Sequence, residues 1–222
     1  MTMTKQDADA TRALTALEDA DASVRLRAAM AIGTAPDPRF VGTLVERCAV
    51  EPDFQVRELL TWALTRHPSA LTVPPLVAEL DSEGAQARSQ ALHTLSKIGD
   101  RQAWPAITRA HLTDTDDEVA RSAWRAAVVL VPEGEEPGLT RVLATQLGRG
   151  GRETRLSLSR ALIALGEVIV ETLHAAAADP DPRVRLHANA TEQLLRDPDA
   201  GFECAIEEAK RIVALGTDGR EE

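Results

Sequence analysis

Aromatic residues are scarce in this sequence, at 3% of 222 residues, and tyrosine is absent. A folded core must therefore be assembled from Leu, Val, Ile and Ala, and an alanine-rich core suits helices that pack closely. Only two cysteines occur, Cys48 and Cys204. Two cysteines so far apart are more typical of small buried apolar groups than of a disulfide framework. Unbridged cysteines fit a reducing compartment, so we expect a cytoplasmic protein.

Long apolar runs are also missing. The longest, such as residues 126–131, fall far short of the roughly 18 residues that a membrane-spanning helix needs. The first ten residues, M-T-M-T-K-Q-D-A-D-A, contain no apolar segment like that of a signal peptide. Acidic residues outnumber basic ones by 35 to 25, which gives a formal net charge of −10. Since Lys and Arg dominate binding to phosphate backbones, neither nucleic acid nor a membrane is the expected partner.

A repeated phrase is the main feature that the sequence does contain. Residues 19–33, D-A-D-A-S-V-R-L-R-A-A-M-A-I-G, return near the other end as D-P-D-P-R-V-R-L-H-A-N-A, residues 179–190. Copies this far apart call for a search between them, and six copies share one register. In each copy we call one residue position zero. These residues are Val24, Val56, Ala87, Val119, Thr154 and Val184. The next residue is Arg in five of the six copies, and Ala120 is the exception.

A second phrase recurs between these copies and keeps the same register. It reads V-G-T-L, V-P-P-L, W-P-A-I, E-P-G-L and V-E-T-L, and its copies begin at Val41, Val73, Trp104, Glu136 and Val170. Apolar residues recur at helical spacing around both phrases, and no alternating strand pattern competes with them. The pattern predicts two helices in every 30 to 35 residues. Because stacked pairs cover each other's apolar faces, we predict an all-α solenoid (superhelix) of about six helix pairs with a C-terminal closing helix.

The domain prediction follows from the extent of the repeats. Residues 10–215 should form a single solenoid domain, between a flexible N-terminus over residues 1–9 and a disordered tail over residues 216–222. The first helix is expected over residues 11–18, and another over residues 104–112. Pro74 and Pro75 are expected at the head of a helix, where proline is well tolerated. Asp197, Pro198 and Asp199 should cap the closing helix.

These motifs resemble a known family. D-P-D-P-R-V-R, joined to V-P-P-L or W-P-A-I, is similar to the HEAT repeat family, specifically the short bacterial repeats called bilin-lyase-like HEAT repeats. The resemblance covers about residues 10–212. It implies that the second helix of each pair lines the concave side of the superhelix. It also implies a ladder of Asp and Arg side chains between repeats, made of Asp21/Arg25, Asp53/Arg57 and Asp181/Arg185, with an interruption at Ala120.

Most proteins with this repeat are binders, so the resemblance implies a non-enzymatic scaffold. Within each second helix, positions zero, four and eight should face the core, and positions three, six and ten should face outward. The outward residues that we predict to bind a partner are Arg27, Met30, Leu59, Trp62, Arg66, Gln90, His93, Lys97, Arg125 and Arg160. Three further residues occupy outward positions: Ser122, Ser157 and His187.

The outward set contains no acidic residue, although acidic residues are in excess overall. We therefore predict a mildly basic concave groove and an acidic back. The groove would hold an acidic or carboxylate-bearing segment of a protein or peptide, with Met30 and Trp62 as apolar anchors. Two alternatives stay open: the pattern is a chance arrangement of solvated side chains, or a partner uses the acidic convex side and the loops. A monomer is the favoured oligomeric state.

No catalytic residues are predicted, and no metal or cofactor is expected. None of the five histidines stands with another ligand at a spacing suited to a metal. Nucleotide-binding and hydrolase motifs are absent from the sequence. The glycine-rich residues 148–152 follow no strand, so we interpret them as an inter-repeat turn. The family offers two alternatives: a lyase-type or chaperone-like role resembling bilin lyases, and a HEAT-like DNA glycosylase, which would use Trp62 and Trp124 but is disfavoured by the net charge.

Overall fold

The computed structural model of the chain describes residues 5–197 and 201–217, and the regular secondary structure of these residues is entirely helical. Contacts divide the chain into two compact units, residues 1–106 and residues 107–222, which we call unit 1 and unit 2. The sequence-based prediction of a single domain over residues 10–215 stays a prediction.

Unit 1 consists of successive pairs of a first helix and a second helix. The first helices are α1 (Lys5–Ala16), α3 (Val41–Val50) and α5 (Ser69–Ala78). The second helices are α2 (Ala22–Thr34), α4 (Phe54–Thr65) and α6 (Ala85–Ile98). Short 3-10 helices lie at Pro38–Phe40, Glu79–Asp81 and Arg101–Ala106. Because α4 packs against both α2 and α6, neighbouring pairs bury their apolar faces against each other.

Unit 2 continues the pattern and ends with an extra helix. The first helices are α7 (Arg109–Leu112), α9 (Glu136–Ala144) and α11 (Val170–Ala176), the last preceded by a 3-10 helix at Gly166–Ile169. The second helices are α8 (Asp117–Leu130), α10 (Arg152–Ala164) and α12 (Pro182–Arg196). The helix α13 (Gly201–Thr217) packs on α12, as the predicted closing helix should.

Aspartate side chains start several of the second helices. Asp53 accepts hydrogen bonds from the backbone N–H groups of Gln55 and Val56 at 2.9 and 3.0 Å. The same type of cap begins α2, α8 and α12, at Asp21, Asp116 and Asp181. Such a cap satisfies N–H groups that have no partner within the helix, and it stabilises the fold by about 1 kcal/mol.

The core follows the register of the repeats. In α4 the inward positions zero, four and eight are Val56, Leu60 and Leu64, and all three are fully buried. The corresponding residues of α6, α8 and α10 are buried as well: Ala87, Ala91, Leu95, Val119, Ala123, Ala127, Thr154, Leu158 and Leu162. Towards the ends of the array the pattern is looser: Val24 and Val184 are half-buried, and position eight of α12 is the half-buried Glu192, which pairs with His174 and Arg196. The predicted inward register is therefore confirmed.

Some helix boundaries differ from the predictions. The first helix begins at Lys5 rather than at residue 11. The helix α5 begins at Ser69, so Pro74 and Pro75 lie inside it and not in its first turn. The predicted helix over residues 104–112 is broken into a 3-10 helix and the short α7, because Pro105 lacks an N–H group and Thr108 starts a new cap.

Other predictions fall on parts of the chain outside the described residues. Residues 1–4 and 218–222 lie there, as do residues 198–200, which include most of the predicted cap of the closing helix. The side chain of Cys204 is also outside them. Cys48 is free and buried, and burial raises the pKa of its thiol to about 12. Cys48 is therefore an inert apolar group, as predicted.

Candidate functional site

The arginines that follow position zero of the repeats bind the turns before their helices and do not form the predicted ladder. In α2, Nη1 of Arg25 donates to the backbone carbonyls of Asp19 and Ala20 at 2.8 and 3.0 Å. The arginines at the same position of α4, α6 and α12 make the same pair of bonds: Arg57, Arg88 and Arg185. Their Asp partners in the predicted ladder, Asp21, Asp53 and Asp181, cap helices instead. Both side chains therefore stabilise their own turn, Arg25 binds Glu51 rather than an Asp of the next repeat, and the ladder prediction is wrong for these three pairs.

A buried ionic cluster connects the first two repeats. Glu51 is fully buried and accepts hydrogen bonds from Arg25 at 2.7 and 2.8 Å and from Arg47 at 2.7 and 2.9 Å. Burial alone would raise the pKa of Glu51. Hydrogen bonds from Arg25, from the backbone N–H of Asp53 and from Arg47 outweigh burial and lower this pKa to about 2. Glu51 is satisfied as a structural anion, so it is not available as a catalytic acid or base.

The surface that carries the predicted binding residues can be described within unit 1. We call it the second-helix face of unit 1 and define it by seven residues: Arg27, Met30, Leu59, Trp62, Arg66, His93 and Lys97. Met30 is 50% exposed and Trp62 is 38% exposed, which is unusual for large apolar side chains. The three cations Arg27, Arg66 and Lys97 are exposed, whereas Leu59 and His93 are half-buried.

A glycine places the Trp62 ring on this face. A Cβ atom at Gly33 would lie 2.3 Å from Cζ3 of Trp62, so the indole rests directly on the backbone of α2. Met30 precedes Gly33 by one helical turn and therefore lies on the same side of α2. Met30 and Trp62 thus belong to one apolar patch, formed by two neighbouring second helices.

One acidic residue lies at the edge of the face, and the pattern of outward positions missed it. Nε2 of His93 lies 3.1 Å from a carboxylate oxygen of Glu58, whose side chain is 42% exposed. Glu58 occupies position two, which was assigned neither inward nor outward. The seven residues that define the face include three cations and no carboxylate, and Glu58 lies beside them next to His93.

Gln90 does not face outward as predicted. It is buried, and its Nε2 donates to Oγ1 of Thr61 at 2.8 Å. The hydroxyl groups of Thr61 and Thr94 are 3.1 Å apart, and Thr94 donates to the carbonyl of Gln90 at 2.8 Å. These side chains form a polar layer between α4 and α6. In α6, position three points towards the neighbouring second helix α4, so Gln90 is unavailable to a partner.

The same correction applies to His187. This residue is fully buried, and its Nδ1 accepts a hydrogen bond from the N–H of Gly148 at 3.0 Å. Its Nε2 lies 3.0 Å from both Oγ of Ser159 and the carbonyl oxygen of Arg155. Burial lowers the pKa of His187 to about 4. The imidazole is therefore neutral at physiological pH and holds α12 against α10 and the preceding turn.

The remaining predicted residues belong to unit 2. Arg125 and Arg160 are exposed, as expected for position six. Ser122 is buried and accepts a hydrogen bond from Arg125 at 3.0 Å, while Ser157 is half-buried. The predicted continuity between these residues and those of unit 1 stays a prediction.

The residues that a metal site or a DNA-binding surface would need can be located in the structure. Among the side chains that the structure describes, no three from His, Cys, Asp or Glu come together as a metal site would require. Trp124, which a DNA-binding role would need at the surface, is fully buried and donates to the carbonyl of Leu112 at 2.8 Å. No helix in the described part of the chain is both long enough and apolar enough to cross a bilayer.

Comparison with known proteins identifies the repeat. Residues 43–128 match the family model for HEAT repeats, which confirms the resemblance seen in the sequence. An engineered protein from the Northeast Structural Genomics Consortium is 20% identical, with a TM-score of 0.48 over 90% of this chain and 97% of that chain. The complex of CpcE and CpcF of phycocyanin lyase from Nostoc sp. PCC7120 is 17% identical, with a TM-score of 0.48 over 89% of this chain and 85% of that chain. No curated protein sequence matches the chain.

Proposed function

We propose that this chain, an all-α solenoid with HEAT repeats over residues 43–128, is a non-enzymatic binding scaffold. Its ligand is an acidic segment of another protein, and the site is the second-helix face of unit 1. Three of its predicted contact residues are the exposed cations Arg27, Arg66 and Lys97, and two are the exposed apolar residues Met30 and Trp62.

The observation that carries the proposal is a set of cations without partners. Arg66 and Lys97 form no ion pair within the described residues, in contrast to Arg25 and Arg47, which are bound to Glu51. The chain has a net charge of −10, yet these two cations lie on the same face as the exposed Trp62 ring. Their positive charge complements a carboxylate-bearing ligand and repels a basic one.

We expect the apolar residues and the cations of this face to contribute to binding in different ways. Trp62 and Met30 would supply most of the affinity, because aromatic side chains in the centre of an interface commonly contribute about 2 kcal/mol or more. The exposed cations would mainly set the rate of encounter and its salt dependence. As a scaffold, this surface would need no cofactor and would perform no chemistry.

The test begins with a pull-down from native cytosol and identification of the bound protein by mass spectrometry. The affinity of the purified partner is then measured for the wild-type chain and for Trp62→Ala. We expect Trp62→Ala to weaken binding about thirtyfold, which corresponds to about 2 kcal/mol. The helical circular dichroism spectrum should be unchanged, because Trp62 is partly exposed and is not one of the fully buried core residues.

Phe54→Ala provides the matched control. Phe54 is a 65% exposed aromatic residue on the same helix as Trp62, but it lies outside the second-helix face and under the guanidinium of Arg57. Its replacement should leave the affinity unchanged. Wild-type affinity in both variants would mean that the partner uses another surface, and the proposed site would have to be abandoned.

A further inference from the structure

The last helix of the chain already covers a second-helix face. Five buried residues form this contact, three from α13 and two from α12: Phe202, Ala205, Ala209, Ala190 and Leu194. In the repeat register, Ala190 and Leu194 are positions six and ten of α12. Leu156 and Ile163 of α10 pack against the same cluster, which therefore joins α13 and α12 to the neighbouring second helix. Positions six and ten of a second helix can therefore hold the apolar side of another helix.

Positions six and ten of the second helices of unit 1 are exposed, except that His93, position six of α6, is half-buried. Position six is Met30 in α2 and Trp62 in α4, and both are exposed. Position ten is Arg66 in α4 and Lys97 in α6, and both are exposed as well. Unit 1 therefore presents, without a cover, the register positions that hold an amphipathic helix in unit 2. The difference in chemistry is that unit 1 has large apolar and cationic side chains where α12 has Ala and Leu.

The chemistry of a helical surface also favours a helical ligand. The backbone N–H and C=O groups of α2, α4 and α6 are bonded within their own helices, so this face offers only side chains to a ligand. An extended peptide would gain no backbone hydrogen bonds here, unlike a peptide that adds to a sheet edge. A helix satisfies its own backbone and presents an apolar stripe at a spacing of three and four residues, as Phe202, Ala205 and Ala209 do.

We infer that the occupant of the second-helix face of unit 1 is an amphipathic, acidic α-helix of a partner protein, an inference that rests on the proposed function of that face. Its apolar stripe packs on Met30 and Trp62. Its carboxylates flank the stripe and approach Arg66 and Lys97. The partner folds on binding or presents a preformed helix, and its side chains at successive turns span α2, α4 and α6.

The test uses two synthetic peptides and the full-length chain. The first peptide has 17 residues, the length of α13, with Leu along one helical face and Glu elsewhere. The second has the same composition in an order that places Leu on all sides of a helix. Fluorescence anisotropy measures the affinity of each peptide for the wild-type chain, for Trp62→Ala and for Phe54→Ala. Circular dichroism of the mixtures reports the helix that forms on binding.

We expect the amphipathic peptide to bind at least about tenfold more tightly than the reordered one. Its helicity should increase on binding, and its affinity should fall in Trp62→Ala but not in Phe54→Ala. If both peptides bind equally and depend on Trp62, the helical ligand is wrong and the acidic-segment scaffold stands. If neither peptide binds, or if binding ignores Trp62, the second-helix face is not a site for acidic segments, and both proposals fail.

Discussion

Position three of the second helices shows how one residue choice changes a buried layer. Gln90 and His187 occupy this position in equivalent layers, each bonded to a hydroxyl side chain on the preceding second helix. Both layers also contain a threonine that donates to the carbonyl of the position-three residue, Thr94 in one and Thr191 in the other. The amide of Gln90 does not titrate, whereas the imidazole of His187 does. Only the layer in unit 2 can respond to acid.

We expect His187→Gln to make the protein less sensitive to acid. Burial lowers the pKa of folded His187 to about 4, compared with 6.5 for the unperturbed group. Between these values the unfolded chain binds a proton that the folded chain does not. The contribution of His187 to stability is therefore complete above pH 6.5 and declines as the pH falls towards 4, by an amount on the order of 3 kcal/mol.

The measurement is the free energy of unfolding in urea at pH 7 and at pH 4.5. The decrease between the two pH values should be larger for the wild-type chain than for His187→Gln, because all other titrating groups are shared. A Gln side chain at position 187 could accept from Gly148 and donate to Ser159, as Nε2 of Gln90 donates to Thr61. Equal decreases in the two proteins would show that His187 is not held neutral by its surroundings.

The sequence could have revealed these layers, but only by comparing neighbouring copies. A hydroxyl residue at position five is followed by threonine at position seven of the next copy in two cases, Thr61 with Thr94 and Ser159 with Thr191. Between them stands Gln90 or His187, which we placed outward because position three is on the polar side of an isolated helix. Contact with an adjacent second helix buries that position, and the periodicity of one helix carries no information on that contact.

At the scale of elements, the fourth copy keeps its turn without the usual arginine. Ala120 stands where other copies have Arg, and Arg149 from the next turn replaces the missing bonds. Nη2 of Arg149 lies 2.8 Å from Oδ1 of Asp117 and 3.2 Å from the carbonyl oxygen of Thr115. Gly148 and Gly150 have positive φ angles, 80° and 67°, which bring Arg149 into this place. The glycine-rich turn, predicted from the sequence, is therefore a link between α8 and α10.

Arg149→Ala should destabilise unit 2 by about 1–3 kcal/mol, because it removes charge-assisted bonds to Asp117 and leaves the Thr115 carbonyl without this donor. Arg160→Ala is the control, since Arg160 is exposed and forms no ion pair within the described residues. Its replacement should change the free energy of unfolding by less than about 0.5 kcal/mol. Urea denaturation of both variants decides the matter, and equal small effects would show that the turn does not depend on Arg149.

The type and order of the helices were predictable because the two repeated phrases keep one register. The residues at which individual first helices begin were not predictable. The sequence placed Pro74 and Pro75 in a first turn, whereas α5 starts earlier, at Ser69. Ala70 and Leu71 carry the carbonyls that these prolines leave without a helical partner, and both residues are exposed to solvent. Packing of Val73 and Leu76 in the core therefore outweighs the local preference of proline.

At the scale of the whole molecule, the distribution of charge matters more than its sum. The chain carries a net charge of −10, yet its arginines fall into separate classes. Some, like Arg25, are buried in ion pairs or hold turns, and others, like Arg66, are exposed and unpaired. An acidic ligand would be repelled by the molecule as a whole and attracted by the second-helix face of unit 1, so local field and net charge make opposite contributions to association.

Two charge reversals separate these contributions. Arg66→Glu and Arg101→Glu change the net charge equally, and both residues are exposed in unit 1, but only Arg66 belongs to the second-helix face. We expect Arg66→Glu to slow the association of an acidic amphipathic peptide about tenfold at low salt and to weaken its salt dependence. Arg101→Glu should have a much smaller effect. Stopped-flow measurements over a range of salt concentrations compare the two, and equal slowing would mean that the ligand responds to the total charge of the molecule and not to a basic surface on α4.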